Sequence, residues 1–421
     1  MLDGVTSELV GEPGQGLTRD GEPGVMFYSH DTYGLGHLRR TLALAGFLRS
    51  RRSLSQLIVT GSALAHRFSL PPGADYIKLP SVVKVAAGRY ESRFLGLSFS
   101  AIRDLRRELL LGAARHFRPS MLVVDNVPGG LKGELQPALH YLKSTSCRLV
   151  LGLRDVVDEA DWVREAWAKD GSYELLDRTY DRILVYGERE IYDSVAEYGL
   201  SWRAAEKTRF VGYLGREPGR QSPEQIRSAL GVDQRPLVLV MAGGGEDGHD
   251  LLRAVLEAIR LRGDGTSFEC LLLGGPLMPA NHRREVLGLA RERAVHYIDF
   301  SDDVPSYVRA ADVVVSMGGY NSVCELLASG KPALIVPRVT PRREQLIRAR
   351  ALANRGHLRL IHPAELEPRR LFDEMSRLLQ EGRAPVNLSI NGLPAAAAAL
   401  DELLEGDVPD ASLMAVGGRH G

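Results

Sequence analysis

The chain is expected to fold as an α/β protein built from two doubly wound, Rossmann-like domains, and three observations carry that expectation. Short apolar runs alternate with longer amphipathic stretches almost from end to end. The apolar runs are mostly unbroken, as strands of a parallel sheet are when helices cover both faces. A segment rich in Gly, Pro and charge, Gly212–Pro223, interrupts the alternation near the middle, as an interdomain linker does.

The first set of candidate strands is Val25–Ser29, Gln56–Thr60, Met121–Asp125, Arg148–Leu153, Arg182–Tyr186 and Thr208–Val211. The second is Leu237–Met241, Phe268–Gly274, Val295–Asp299, Val313–Ser316 and Ala333–Val336. Helical periodicity marks His37–Arg49, Ala101–Phe117, Glu224–Leu230, His249–Leu261 and Ser322–Ala328. Strand–helix alternation on this scale predicts parallel sheets. Residues 1–23 read as a disordered leader, 24–213 and 214–405 as the two domains, and 406–421 as a flexible tail.

The 421 residues exceed what one hydrophobic core usually organises. Lys+Arg and Asp+Glu both total 53, so no bulk charge points to nucleic acid. Cys147, Cys270 and Cys324 are odd in number and scattered, which builds neither a disulfide framework nor a zinc site. The N-terminal stretch is polar and Gly-rich, without the apolar centre of a signal peptide, and no apolar run reaches the roughly 20 residues that span a bilayer. A cytoplasmic location is the simpler expectation.

Ligands of such sheets sit where strands turn into helices, so the turns are where chemistry is expected. The first turn, Ser29 to Arg40, contains His30, Asp31, Gly34, Gly36 and His37. The glycines let the backbone approach a ligand, and a histidine at a helix start suits a general base. No third glycine stands three residues after Gly36, where Arg39 is found, so the dinucleotide fingerprint is absent. The plainer reading is a Gly-rich connector with surface histidines.

The second turn, with Gly243, Gly244 and Gly245, follows a strand and forms a backbone cradle for an anion, without the Gly-Lys-Ser/Thr ending of a P-loop. The third is the sharpest: a buried strand ends at Ser316, Gly318 and Gly319 follow, and a helix begins near Asn321 and Ser322. Its first amides are free for phosphate oxygens, and Glu325 in that helix suits two vicinal hydroxyls such as those of ribose. The fourth supplies Glu344 and Gln345, a polar pair suited to sugar hydroxyls. Each also has a bland alternative: a flexible turn, or acidic residues favourable to a helix dipole.

Taken together these residues resemble the glycosyltransferase family 28 C-terminal domain, and the whole chain is similar to a group of bacterial predicted glycosyltransferases. The resemblance rests on Tyr28 to Arg40, Leu149 to Asp155 and Met317 to Ser322, covers roughly Val25 to His357, and is most specific from Tyr297 to Gln345. It implies a GT-B fold, two Rossmann-like domains facing across a cleft, with nucleotide-sugar in the C-terminal domain and acceptor in the N-terminal one. By the same resemblance Glu325 contacts the ribose, Glu344 and Gln345 the donor sugar, and Phe300 and Ser301 cap the base. The family usually has Asp or Gln where Glu344 stands.

The expected reaction is inverting displacement at the anomeric carbon of a UDP-sugar by an acceptor hydroxyl. His37 is the first candidate base, with His30, Asp31 and Asp125 in reserve. Helix N-termini after Gly243–Gly245 and Gly318–Gly319 would neutralise the leaving diphosphate, so no cofactor or divalent metal is expected, though Asp302-Asp303 keeps a metal open. The acceptor is a small molecule, a glycan or a lipid-linked sugar. A nucleotide-sugar hydrolase, a non-catalytic sensor and an epimerase of the same fold are the rivals. Arg103, Arg106, Arg107, Arg115 and Arg118 with Leu109–Leu111 would give weak peripheral membrane contact, against the preferred reading of a solvated helix face.

Overall fold

A computed structural model of the chain describes residues 22–30, 36–86, 89–215, 219–232, 234–263, 267–382 and 388–405. The expected tail, most of the leader, Asp31 and Gly34 lie outside these residues. Glu22 and Pro23, placed in the leader by the sequence, are described, and the Pro23 carbonyl accepts the Ser55 amide at 3.2 Å.

The first domain holds a seven-stranded sheet in the order β3-β2-β1-β6-β7-β8-β9. Its strands are β1 (Gly24–Ser29), β2 (Ser55–Thr60), β3 (Ala74–Lys78), β6 (Met121–Asp125), β7 (Arg148–Arg154), β8 (Arg182–Tyr186) and β9 (Thr208–Phe210). A hairpin of β4 (Val82–Ala86) and β5 (Arg89–Ser92) stands apart from it. The second domain holds β10 (Leu237–Met241), β11 (Glu269–Leu273), β12 (His296–Ile298), β13 (Val313–Ser316), β14 (Ala333–Ile335) and β15 (Arg359–Leu360), ordered β12-β11-β10-β13-β14-β15. Every pairing within the two large sheets is parallel. Central strands such as Met121–Asp125 and Leu237–Met241 are buried along their whole length, which is why the sequence wrote them as continuous apolar runs.

Four strands escaped the sequence reading: β3, β4, β5 and β15. The first is an edge strand whose Asp75, Tyr76 and Lys78 are exposed, and β15 is only two residues long; neither is written as an apolar run.

In both sheets the strand order reverses once, between β1 and β6 and between β10 and β13. A crevice opens at the C-terminal edge of such a reversal. The helix after β1 (Gly36–Arg51) and the helix after β13 (Tyr320–Ser329) start at these two crevices and touch each other. The last helix, Gly392–Glu405, crosses back to pack on the β1 helix, with Asp401 paired to Arg51 at 2.9 Å.

The expected basic face of the helix Phe99–Phe117 is corrected at Arg106. Ile102, Arg106, Leu110 and Ala114 form its buried stripe, one turn apart. Arg106 is fully buried, bonded to Glu134 at 2.6 and 2.7 Å, and Glu134 also accepts from the Tyr28 hydroxyl at 2.5 Å. Arg106 therefore fixes the end of β1, through the Pro80 carbonyl at 2.7 Å and the His30 carbonyl at 3.4 Å, and cannot meet a bilayer.

Candidate active site between the two switch points

On the first domain the structure brings together residues that the sequence proposed separately. Asp125 ends β6, His37 opens the β1 helix, and the His37 Nδ1 lies 2.9 Å from Asp125 Oδ2. Arg40, one turn further, donates to both Asp125 oxygens at 2.9 and 3.3 Å. Asp125 and Arg40 are each only 4% exposed, so the carboxylate must be charge-compensated to be buried. Burial pushes the Asp125 carboxyl up, but Arg40 and then His37 outweigh it and hold it below the usual carboxylate range. A carboxylate so held is a poor proton acceptor; its geometry is that of a group that orients an imidazole, with Nδ1–H donated to Asp125 and Nε2 left for a reacting hydroxyl.

The His30 ring packs 4.5 Å from His37. Burial first, and then His37 and nearby arginines, push His30 well below the ordinary histidine value. Among the described residues its buried Nδ1 has no hydrogen-bond partner. Neutral and enclosed, it serves as a wall for His37.

On the second domain two glycine turns border a cavity that Gly36 and Arg40, beside His37, also line; His30, His37 and Asp125 are not among its lining residues. Gly243 and Gly245 have φ of +64° and +95°. A Cβ on Gly245 would fall 2.6 Å from the Gly274 carbonyl oxygen, so only glycine lets this turn close. Gly318 has φ of +77°, and Gly319 caps the β13 helix with no side-chain bond to its first amides. Among the described residues nothing stands within 4 Å of where a Gly319 Cβ would be. That open space belongs to a cavity of about 180 Å³ lined by Gly243–Gly245, Gly319, Asn321, Ser322, Glu344 and Gln345 of the second domain and by Gly36, Arg39, Arg40 and Arg154 of the first.

Glu344 is 3% exposed and paired with Arg338, whose backbone amide donates to Gln345 Oε1 at 2.9 Å. Burial raises the Glu344 carboxyl, but Arg338, followed by Arg154, Arg348 and Arg342, holds it below the usual range. Its Oε2 has no partner, although it is buried. Phe300, Ser301 and Glu325 do not line this cavity. Phe300 packs edge-on to Phe68 of the first domain, 6.3 Å between centroids, and the Ser301 carbonyl accepts from Arg39 at 3.4 Å. Glu325 is 5% exposed within the β13 helix.

The domains are tied at the site itself. Tyr320, the first residue of the β13 helix, lies between two guanidinium groups: Arg40 at 5.2 Å and Arg348 at 5.5 Å from its ring centroid. Arg348, in the helix Glu344–Ala353, reaches Asp155 after β7 at 2.7 and 2.8 Å, and both are buried. Asn321 Nδ2 donates to the Gly36 carbonyl at 3.3 Å. Sequence reading passed over Arg40, Arg154, Asp155 and Arg348. The first three stand inside the family motifs, but nothing in the sequence pairs them with partners more than 80 residues away.

Among the described residues no group of His, Cys, Asp or Glu is arranged to hold a metal ion. Asp303 is instead bonded by the Ser306 hydroxyl at 2.6 Å and by the Arg220 amide, and Asp302 pairs with Arg220 at 2.7 Å.

Two doubly wound domains whose switch points face one another across a cleft define the GT-B class of folds. Residues 237–401 match the glycosyltransferase family 28 C-terminal domain. The UDP-N-acetylglucosamine--N-acetylmuramyl-(pentapeptide) pyrophosphoryl-undecaprenol N-acetylglucosamine transferase of Rubrobacter xylanophilus is 29% identical over 203 residues, 47% of this chain and 55% of that protein. The match thus spans about half the length of that relative. The Bifidobacterium longum protein of the same name is 26% identical over 366 residues, 82% of this chain and 87% of the relative. Among solved structures, the calicheamicin glycosyltransferase CalG4 has a TM-score of 0.59 at 17% identity, covering 92% of this chain and 100% of its own. A Listeria monocytogenes structure assigned as a UDP-N-acetylglucosamine 2-epimerase has 0.60 at 15%, covering 92% and 98%. At such identities these two likenesses establish the fold alone.

Proposed function

We propose that the protein transfers a hexosyl group, of the N-acetylhexosaminyl kind, from a UDP-sugar to an acceptor hydroxyl with inversion and without a metal. The observation that carries this is an oriented His37–Asp125 pair held by Arg40, which with Gly36 lines the same cavity as two anion-favouring glycine turns. In the reaction, the acceptor oxygen bonds to the anomeric carbon as its proton passes to His37 Nε2. The bond from that carbon to the diphosphate oxygen breaks, and the electron pair leaves with the UDP. The amides at Gly243–Gly245 and the start of the β13 helix stabilise the charge that develops there. Glu344 and Gln345, which line the cavity, bind sugar hydroxyls, and the nucleoside falls to Glu325, Phe300 and Ser301 by the family resemblance alone, since they stand outside the cavity lining.

The relatives' names support the N-acetylhexosaminyl donor and a lipid-linked acceptor. The exposed apolar side chains after the hairpin are our candidate surface for such an acceptor. Phe94, Leu95 and Leu97 are 72%, 47% and 48% exposed, and the helix that follows them carries exposed Leu105 and Leu109 with Arg103 and Arg107, both paired with Asp104. Apolar side chains rimmed by cations suit peripheral contact with an anionic bilayer. Among the described residues no helix is long and apolar enough to cross one. A cytoplasmic site of action completes the reading, with all three cysteines buried and unpaired.

The test is to incubate the protein with UDP-sugars and polyprenyl-diphosphate-linked or free sugar acceptors, and to identify products by mass spectrometry and anomeric NMR. An acceptor-dependent product of inverted configuration, lost in His37→Ala, is expected. UDP-sugar consumption at the same rate without acceptor would establish a hydrolase instead.

A further inference from the structure

Arg154 is the last residue of β7, two strands from β1 in the first sheet, yet its side chain lines the cavity that the glycine turns of the second domain enclose. Its backbone amide is held by Asn126 Oδ1 at 2.9 Å, and Asn126 itself has φ of +89° immediately after Asp125. The guanidinium is poorly satisfied. Nη2 reaches the Val157 carbonyl at a long 3.4 Å, and Nε is buried with no hydrogen-bond partner among the described residues. Glu344, the carboxylate that attracts it, is paired with Arg338. Burial, with repulsion from Arg40, Arg348 and Arg342, pushes Arg154 down to about 10. The neighbouring cations differ: Arg40 has Asp125, and Arg348 has Asp155.

A desolvated cation whose nearest carboxylate is already paired with another arginine is costly in the empty protein, and an entering anion relieves that cost. Two independent features of the same cavity favour an anion: the positive-φ Gly243 and Gly245, and the uncapped start of the β13 helix. We propose that Arg154 is an anion ligand supplied by the first domain, which closes on the diphosphate of the donor so that neutralising the leaving group requires both domains. This rests on the donor reading of the cavity. It adds to that reading a side chain from the acceptor-binding half, and it makes diphosphate binding a tie between the domains.

The experiment measures binding of inorganic pyrophosphate, UDP and UMP to the full chain and to Arg154→Gln by calorimetry, with the melting temperature of each ligand-free protein. Arg154→Gln should bind pyrophosphate and UDP about 10- to 100-fold more weakly, the range for losing a charged hydrogen bond, and UMP within about twofold. Its ligand-free melting temperature should be equal to or above that of the wild type, because an uncompensated charge is removed; a structural arginine would lower it. Arg154→Lys should recover part of the pyrophosphate affinity. Equal pyrophosphate affinity in wild type and Arg154→Gln overturns the assignment, as does a wild type that binds no pyrophosphate. Pyrophosphate weakened by Arg154→Gln, with UDP no tighter than pyrophosphate in the wild type, upholds Arg154 and refutes the donor reading.

Discussion

Replacing Asp125 by Asn keeps the shape of the side chain and removes its charge. The carboxylate accepts from His37 at 2.9 Å and from Arg40 at 2.9 and 3.3 Å. An amide presents one oxygen and one NH2, so whichever way it turns it meets one of these donors with a donor. If the oxygen faces Arg40, His37 loses the partner that fixes its tautomer. If it faces His37, Arg40 is left buried, 4% exposed, without a counter-charge. Breaking one partner of a buried pair costs about 3–5 kcal/mol, and losing a positioned proton-transfer group costs about 10²- to 10⁴-fold in rate. The assays are urea unfolding and initial-rate kinetics with UDP-sugar and acceptor. Asp125→Asn combined with Arg40→Met removes the orphaned cation, and should regain stability without regaining activity. An Asp125→Asn protein with wild-type kcat/KM would refute the assignment of Asp125 as the group that orients His37.

The glycines separate fold from function. A Cβ on Gly36 would meet only Arg40 Nη1 at 3.6 Å and Asn321 Nδ2 at 3.9 Å, so Gly36→Ala should fold normally, and any loss of turnover reports a ligand at that point. Gly245→Ala should instead lose about 1–3 kcal/mol in urea unfolding from its strained φ alone. Asp155→Ala should cost about 3–5 kcal/mol by the same measurement, because Arg348 is left buried, and Asp155→Leu with Arg348→Met should recover much of it. His30, held well below its ordinary value by burial, gives a stability contribution that is complete above about pH 6.5 and is lost as pH falls from there toward its folded value. Unfolding at a series of pH values should show a slope of up to about 1.4 kcal/mol per unit that His30→Asn removes.

The sequence read the interior best. Strands such as Met121–Asp125 and Val313–Ser316 appeared at their observed bounds, because both faces are covered and each position is apolar. Strand order was not written there. Once the sheets reverse between β1 and β6 and between β10 and β13, the turns singled out for their glycines become two facing crevices. His37 and Asp125 were both expected at the cleft, but their 2.9 Å contact joins residues 88 apart in the chain and depends on β1 and β6 being neighbours. Arg106 shows the opposite limit. Its charge argued for the surface, but the structure puts it on the buried stripe with Ile102 and Leu110, and Glu134 explains why burial won. Arg154 and Arg348 were hidden for a related reason: a cation's role is set by the carboxylate or empty space opposite it, which here lies on the other domain.

The most direct measurement is calorimetric binding of UDP, UDP-N-acetylglucosamine, GDP and TDP to the wild-type protein and to Glu325→Ala. Uridine nucleotides should bind at least about tenfold more tightly than the others, the equivalent of about 1.4 kcal/mol, and Glu325→Ala should lose that affinity. A protein that binds none of these nucleotides, or binds them alike with and without Glu325, contradicts a UDP-sugar site between the two switch points.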